Sequence, residues 1–504
     1  MSIKKLGGET IIYGLSNILG RLLNYVVGAL LITHVIHKSE FGVVNDLMFW
    51  TGLLIALFVF RMDTVVFRYA SRAEYNKRAV FRKAQRWVVI TTTIGTAALL
   101  LASAEIADWL SYPDRVVYVQ LVIATVALDA IAAVPLARLR LEQRPWFFVF
   151  VNLGNVLINI ALLFFTLWYW RGNQEAVSDL LGLKFLENYK VGYFLFAMMA
   201  ASAFRFVLLM IDGAVTYNRR EAAAAGQLLD ASSKEPTAAP SYRTMLTYAY
   251  PLAIVGVAGI VNFLVGPTLI KDFYGDTTSE NLGYGGQFAA AMKMAVLLNL
   301  FVYAYNYAAE PFFFRQTGKD VATADRTIYA DAARAYAIVA TLASAGILLF
   351  LPWLRLMIDE EEAAGLYVLP ALLAANFLFG LYANLSVAYK LTDKTIYGGG
   401  IALIGSFIVL VGTIWFLPIY GLWAVALSML TCFAVMCILA YAVSRRFFPV
   451  DYPIGRIFSY AALAAAAWWA GSFSEAFPYR TGLFLALVVV FGLTEKEWIK
   501  RTFR

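Results

Sequence analysis

The chain of 504 residues has little charge and few of the side chains that bind metals or form disulfides. Only 15% of its residues are charged and 61% are hydrophobic, whereas about 25% are charged in soluble domains, so the composition predicts a membrane protein. The only cysteines, Cys432 and Cys437, lie in one apolar segment and are interpreted as packing residues. The only histidines, His34 and His37, have no further ligands nearby in sequence, and we expect no metal site.

Two further absences narrow the range of possible functions. The sequence has no glycine-rich phosphate loop of the Walker type, which disfavours direct use of ATP, and we expect no cofactor. The longest segment predicted to lie outside, about 169–191, carries only the scattered acids Glu175, Asp179 and Glu187. Because a polyprenyl-sugar glycosyltransferase or ligase needs catalytic groups outside the bilayer, we expect a protein that is not an enzyme.

Apolar runs long enough to approach a hydrocarbon core of about 30 Å recur along the whole chain. They predict an all-α polytopic membrane protein with about fourteen transmembrane helices, the last two of them short. The predicted spans are 10–33, 43–60, 87–104, 116–136, 146–168, 192–212, 246–270, 288–309, 335–353, 366–389, 398–416, 422–443, 456–472 and 480–493.

Positive charge predicts the orientation of these spans. Most of the 41 Lys and Arg residues fall in the termini and in alternate loops, as expected if those parts face the cytoplasm. The segment 68–86, after the second span, is the strongest such signal. We therefore expect both termini to be cytoplasmic, and the net charge of +8 to reflect topology and attraction to anionic lipid rather than nucleic acid binding.

A stretch rich in Ala, Ser and Pro, NRREAAAAGQLLDASSKEPTAAPSYRT, predicts a flexible cytoplasmic linker. It divides the chain into an N-terminal lobe (1–212, spans 1–6), the linker (213–244), a C-terminal lobe (245–444, spans 7–12) and a remainder (445–504, spans 13 and 14 with a cytoplasmic tail). NYVVG in span 1 matches NFLVG in span 7, and FRMDTVVFR matches YAAEPFFFR. These matches predict two six-helix lobes in pseudo-twofold repeat, an arrangement used for alternating access.

Polar residues follow one face of several apolar spans. In span 1, Asn17, Arg21 and Asn24 lie four and three residues apart, and a charge at the centre of a membrane helix costs about 2.5–3.5 kcal/mol on insertion scales. Asn152, Asn155 and Asn159 form a similar stripe in span 5. Further polar candidates are Asp129 in span 4, Arg205 in span 6, and Lys293, Asn299, Tyr303 and Asn306 in span 8, with Glu310 directly after its end.

These side chains either hold helices together or line a hydrated interior. Only one acid, Asp129, lies as deep as the cations, and an interior with excess positive charge suits a phosphate or pyrophosphate. Asp129 and Glu310 are candidates for coupling to a proton or a sodium ion. The predicted substrate-binding residues are Arg21, Asn17, Asn24, Arg205, Lys293, Asn299, Tyr303 and Asn306.

Two segments resemble a known family: MKMAVLLNLFVYAYNYAAEPFFFR (292–315) and GLYVLPALLAANFLFGLYANLSVAYKLTDKT (365–395). They are similar to polysaccharide and O-antigen flippases of the multidrug, oligosaccharidyl-lipid and polysaccharide exporter superfamily. The resemblance implies two lobes that rock about a central cavity and export an oligosaccharide on an undecaprenyl pyrophosphate carrier for cell-surface polysaccharide such as lipopolysaccharide. It also implies a bacterial inner membrane, contact with membrane lipid and a downstream polymerase, and a monomer.

Two alternatives within this superfamily stay open. Fourteen helices also resemble the peptidoglycan-precursor flippases, whose last two helices form a lipid groove. The related drug exporters use membrane acids for cation coupling, and in the N-terminal lobe only Asp129 fits that role.

Overall fold

A computed structural model of the chain describes residues 38–70, 72, 74–227, 239–316, 325–392 and 394–502, together with residue 23. The predicted first span and part of the predicted linker lie outside these residues, as do Asn17, Arg21 and Asn24. Within the described residues, every regular element is a helix.

Seventeen of these helices are seven residues or longer, and they are numbered here in chain order. In the first half they are α1 (Lys38–Val59), α2 (Met62–Ala70), α3 (Lys77–Leu101), α4 (Ser103–Trp109), α5 (Val116–Leu141), α6 (Pro145–Phe164), α7 (Gln174–Leu181), α8 (Lys190–Gln227) and α9 (Tyr242–Phe273). In the second half they are α10 (Thr278–Gln316), α11 (Thr327–Leu349), α12 (Leu369–Leu391), α13 (Thr395–Tyr420), α14 (Leu422–Phe447), α15 (Ile454–Gly471), α16 (Phe477–Thr494) and α17 (Lys496–Thr502).

Twelve helical stretches of the described chain are long and apolar enough to cross a membrane. They coincide with predicted spans 2 to 12 and 14, so the prediction of an all-α polytopic membrane protein is confirmed. The segment predicted as span 13 forms the 18-residue helix α15, which is not among the twelve. The twelve are Glu40–Ala70, Lys77–Leu101, Pro113–Leu141, Pro145–Trp170, Glu187–Val215, Tyr242–Phe273, Glu280–Tyr303, Thr327–Leu349, Glu360–Tyr389, Ile396–Tyr420, Leu422–Phe447 and Phe477–Thr494.

Local chemistry explains several helix ends. The side chain of Asn76 accepts hydrogen bonds from the backbone N–H groups of Arg78 (3.0 Å) and Ala79 (3.1 Å) and so caps α3. Gly421 has φ +56°, a conformation that L side chains rarely adopt, and this lets α13 and α14 follow one another with a single residue between them.

The described chain forms two compact units. Unit 1 is Val43–Val261, and unit 2 is Asn262–Arg504 together with residues 38–42. The division into lobes at a linker 213–244 stays a prediction, although α8 is seen to continue to Gln227.

Unit 1 has two apolar clusters. One joins α2 and α3 to the start of α9, and it includes Met62, Val65, Val88 and Met245, each fully buried. The other joins α5, α6 and α8. These clusters hold the helices that carry Asp129 and Arg205 in fixed register.

Unit 2 packs α12, α13 and α14 closely through small residues. A side chain at Gly405 of α13 would collide with Met436 and Cys432 of α14, so the glycine permits close approach of the two helices. Cys432 and Cys437 are free and buried, as predicted from their position in an apolar span. An apolar cluster elsewhere in unit 2 packs α11 against α15 and α16.

Candidate functional site

The described candidates divide between the two units. Asp129 and Arg205 belong to unit 1, and Lys293, Asn299, Tyr303 and Asn306 belong to unit 2. Glu310 lies in α10, but its side chain is outside the described part of the structure.

In unit 1, Asp129 of α5 and Arg205 of α8 form an ion pair in which Nη2 of the arginine donates to Oδ1 of the carboxylate. The side chains are only 18% and 17% exposed. Nε of Arg205 has no hydrogen-bond partner among the described residues. The two charges offset each other in this conformation, so a role for Arg205 in phosphate binding requires that it exchange Asp129 for the ligand.

Because of this ion pair, we expect the effects of substitutions at Asp129 and Arg205 on stability to be coupled. Asp129→Asn and Arg205→Gln are each expected to destabilise the protein by about 1–3 kcal/mol, because each leaves a partly buried charge without its partner. The double variant should lose less than the sum of the two, with a coupling free energy of about 0.5–3 kcal/mol. Thermal unfolding of the four proteins in detergent measures this, and additive losses would show that the pair contributes nothing.

The asparagine stripe of α6 lies in the same unit. Nδ2 of Asn152 and Oδ1 of Asn159 are buried and have no hydrogen-bond partner in the part of the chain that the structure describes. Such groups cost free energy unless a ligand or water satisfies them.

In unit 2, Lys293 of α10 presents a buried ammonium group. Nζ lies 3.5 Å from the centroid of the Phe41 ring, and Phe41 is 5% exposed. Among the described residues Nζ has no hydrogen-bond partner. The ring attracts the cation through its π electrons, but it accepts no conventional hydrogen bond, so the donor capacity of the ammonium group stays unused.

Glu362 is the acid that acts electrostatically on Lys293. It is 1% exposed, and neither carboxylate oxygen has a hydrogen-bond partner within the described ranges. The acidic run 359–362 would be expected to be solvated, and Asp359, Glu360 and Glu361 are exposed, but Glu362 is not.

A short helical turn places Glu362 in the interior. Asp359 caps the turn Glu360–Ala363, which rotates Glu362 inward, and Gly365 then packs on α10 so closely that a side chain there would collide with the backbone of Gln287. Spacing in the sequence gives no signal for this burial, because Ile358 and Asp359 are extended and Ala364–Val368 forms a 3-10 helix.

The polar stripe of α10 has different environments along its length. Asn299 is 7% exposed, and its Oδ1 has no hydrogen-bond partner among the described residues. The ring centroids of Tyr303 and Phe379 lie 6.3 Å apart, and Asn306 is half-buried. Tyr305, which the sequence analysis did not single out, lies off this stripe and donates to Oδ1 of Asn384 at 2.5 Å, joining α10 to α12.

A second buried charge cluster in unit 2 was also missed. Glu495, at the end of α16 and 2% exposed, pairs with Arg334 of α11 and accepts a hydrogen bond of 2.7 Å from the hydroxyl of Tyr460 in α15. At the other end of α16, Nη1 of Arg480 donates to the carbonyl of Leu349 at 2.9 Å. These contacts attach α15 and α16 to α11 at both ends.

Solved structures with the same fold are transporters. The lipid II flippase MurJ, in an inward closed conformation, is similar over 97% of this chain and 100% of its own, with a TM-score of 0.66 and 12% identity. A MATE protein in a straight conformation is similar over 91% of this chain and 97% of its own, with a TM-score of 0.61 and 13% identity. An outward-facing multidrug resistance MATE family transporter of the MOP superfamily matches 90% of this chain and 97% of its own, with a TM-score of 0.56 and 13% identity.

No protein-family model and no curated protein matches the sequence. At such low identity the structural likeness shows the fold, and it extends over nearly the whole chain, including α15 and α16 in the comparison with MurJ. The chain therefore has the fold that the lipid II flippase MurJ and the MATE transporters share, in agreement with the expected fold.

Proposed function

We propose that the chain is a flippase that moves an oligosaccharide linked to a polyprenyl pyrophosphate from the inner to the outer leaflet by alternating access. The observation that carries this proposal is the ammonium group of Lys293, which is buried in a membrane-spanning helix and makes no hydrogen bond within the described chain. The proposed setting is a bacterial inner membrane with both termini cytoplasmic, where the protein acts as a monomer in cell-surface polysaccharide synthesis.

The free-energy cost of burying the ammonium group of Lys293 favours binding of an anionic ligand. Burial penalises an ammonium ion by several kcal/mol, and contact with an aromatic ring returns only about 2 kcal/mol in a desolvated site. Pyrophosphate oxygens accept strong charge-assisted hydrogen bonds, which use all three donors of the lysine. Glu362 limits the cost in the empty protein without pairing with the lysine directly, so the cation remains available.

Alternating access sets a condition on this interaction. A ligand shifts a conformational equilibrium only by its differential affinity for the two states. Lys293, with Arg21 as its proposed counterpart in the N-terminal lobe, must therefore bind the pyrophosphate more tightly in an occluded state than in either open state. Asn299, Tyr303 and Asn306 then offer hydrogen-bonding groups to a sugar.

Arg205, which belongs to the ion pair of unit 1, is a third candidate cation for binding the pyrophosphate. If the pyrophosphate draws Arg205 away from Asp129, the released carboxylate becomes able to take up a proton or a sodium ion. Glu310 remains the second candidate for such coupling. A downstream polymerase that consumes the exported oligosaccharide would also drive the cycle.

Two other functions compete with this one. A peptidoglycan-precursor flippase is favoured by the likeness to MurJ over the full length of both chains. For a cation-coupled drug exporter the expected membrane acid is Asp129, and Asp129 is compensated by Arg205. The first alternative shares the pyrophosphate chemistry, whereas the second does not.

The test is stabilisation of the purified protein by ligands. Undecaprenyl pyrophosphate at a hundredfold its dissociation constant should add about 2.7 kcal/mol to the apparent free energy of unfolding, and undecaprenol should add almost none. The effect should be lost in Lys293→Met and in Arg21→Ala. Stabilisation by a lipophilic cation instead, with both variants unaffected, would assign the chain to the drug exporters, and preferential stabilisation by lipid II would assign the peptidoglycan precursor.

A further inference from the structure

At one end of unit 1, the helices α3, α5 and α8 surround a cavity of about 620 Å³. This volume lies within the range of about 300–1,000 Å³ that is usual for small-molecule sites. Four basic side chains and one acidic side chain line it: Lys77, Arg78, Arg82, Arg138 and Glu142. The cavity plays no part in the transport site proposed above.

Beside the cavity, two arginines and two acids balance each other. Asp212 accepts hydrogen bonds from Nη2 of Arg138 (2.9 Å) and from Nη2 of Arg144 (2.7 Å), and Nε of Arg138 lies 3.4 Å from Oε1 of Glu142. The hydrogen bond with Asp212 raises the pKa of Arg144, which lies between two spans, so this guanidinium stays charged. The network therefore has no net charge.

Three cations on α3 remain unbalanced. No acidic side chain in the part of the chain that the structure describes forms an ion pair with Lys77, Arg78 or Arg82. Lys77 and Arg78 also occupy the first turn of α3, which contains no acid. Because a helix N-terminus carries partial positive charge, cations there are unfavourable, and an anion held among them would offset both effects.

The remaining lining of the cavity is apolar, and it includes Phe81 of α3 with Leu209 and Met210 of α8. α3, α5 and α8 each belong to a candidate membrane span, and the basic residues lie at the ends of these spans. A site with cations at the end of a span and apolar side chains beside them matches a phospholipid, whose phosphate lies at the membrane surface and whose acyl chains enter the bilayer.

We propose that this cavity binds the head group of an anionic phospholipid, with the lipid phosphate held by Lys77, Arg78 and Arg82. The predicted orientation places the site in the cytoplasmic leaflet, where anionic lipids bind basic pockets between helices. The phosphate offsets these three cations of α3, and the bound lipid fills a cavity that α5 and α8 also line, so occupancy stabilises unit 1.

The experiment measures thermal stabilisation of the full chain in detergent by phosphatidylglycerol, phosphatidylcholine and inorganic phosphate. Phosphatidylglycerol alone should stabilise the wild-type protein. Arg82→Gln should raise the lipid fraction that gives half-maximal stabilisation about fivefold, and adding Arg78→Gln should raise it further. The matched control is Arg86→Gln, one turn along α3, which removes the same charge outside the cavity lining and should change that fraction by less than about twofold.

Three results would overturn the proposal. Equal stabilisation by phosphatidylglycerol and phosphatidylcholine would exclude recognition of the anionic head group. Equal stabilisation by millimolar inorganic phosphate would identify a site for free phosphate. Equal effects of Arg82→Gln and Arg86→Gln would show that only the overall charge of α3 matters. None of these results depends on the transported substrate, so the proposed flippase function can stand or fail separately.

Discussion

Replacing Lys293 with methionine is expected to reduce transport of the lipid-linked oligosaccharide by at least about tenfold to a hundredfold, because the substitution removes every donor of the ammonium group and a single charge-assisted hydrogen bond already accounts for that factor. The fold should survive, because the substitution removes a buried charge and keeps a side chain of similar length and apolar character. Because Glu362 loses the cation that acts on it, we expect the unfolding temperature of the empty protein to fall in Lys293→Met and to recover in Lys293→Met/Glu362→Gln. Translocation of the substrate in proteoliposomes, together with thermal unfolding in detergent, measures both quantities.

The chain offers a matched control for this substitution. Lys394 also places its ammonium group over an aromatic ring, 5.4 Å from the centroid of Phe447, but Lys394 is exposed. Lys394→Met therefore removes the same groups outside the proposed site and should leave transport unchanged. Wild-type transport by a folded Lys293→Met protein would contradict the proposed role of Lys293.

Replacing Glu495 with glutamine is expected to lower the free energy of unfolding by about 3–5 kcal/mol, since it leaves the buried guanidinium of Arg334 without its counterion. The same substitution weakens the hydrogen bond from Tyr460, so the polar contacts that join α15 and α16 to α11 at this end become weaker. Thermal unfolding in detergent measures the loss. The triple variant Arg334→Met/Tyr460→Phe/Glu495→Leu should recover much of it, because an apolar group of similar volume is close in stability to a buried ion pair and no buried hydroxyl is left without a partner.

Glu497 provides the control for this second substitution. It lies two residues further along the chain and faces Lys500 at 3.9 Å, but the side chains are 89% and 53% exposed. Glu497→Gln should therefore change the free energy of unfolding by less than about 1 kcal/mol. Equal effects at positions 495 and 497 would mean that the Arg334 pair does not hold the C-terminal helices in place.

Hydropathy predicted the helices well because the bilayer leaves few alternatives. Backbone groups inside a membrane must bond within their own segment, so an apolar run of sufficient length becomes a helix whatever its neighbours are. The predicted spans 2 to 12 and 14 all recur at nearly the same positions. Span 13 forms helix α15 as well, although this 18-residue helix is not among the candidate spans.

The candidate site was less accessible to sequence reasoning. The helical spacing of polar residues identified α10 and placed Lys293 at the flank of its stripe, and the structure finds this lysine buried at Nζ. Spacing did not reveal that Asp129 and Arg205 form an ion pair, since the two residues are 76 positions apart and belong to different helices. The roles predicted for Asn17, Arg21 and Asn24 remain predictions.

Sequence alone determined that this chain is a helical membrane protein, because hydrophobicity and backbone hydrogen bonding act locally along each segment. Only the tertiary structure decided which acids are buried. Glu362 follows the exposed Glu361, and Glu495 lies two residues before the exposed Glu497. Each buried acid differs from its exposed neighbour only in facing another helix, and a local pattern carries no information about which helix will pack there.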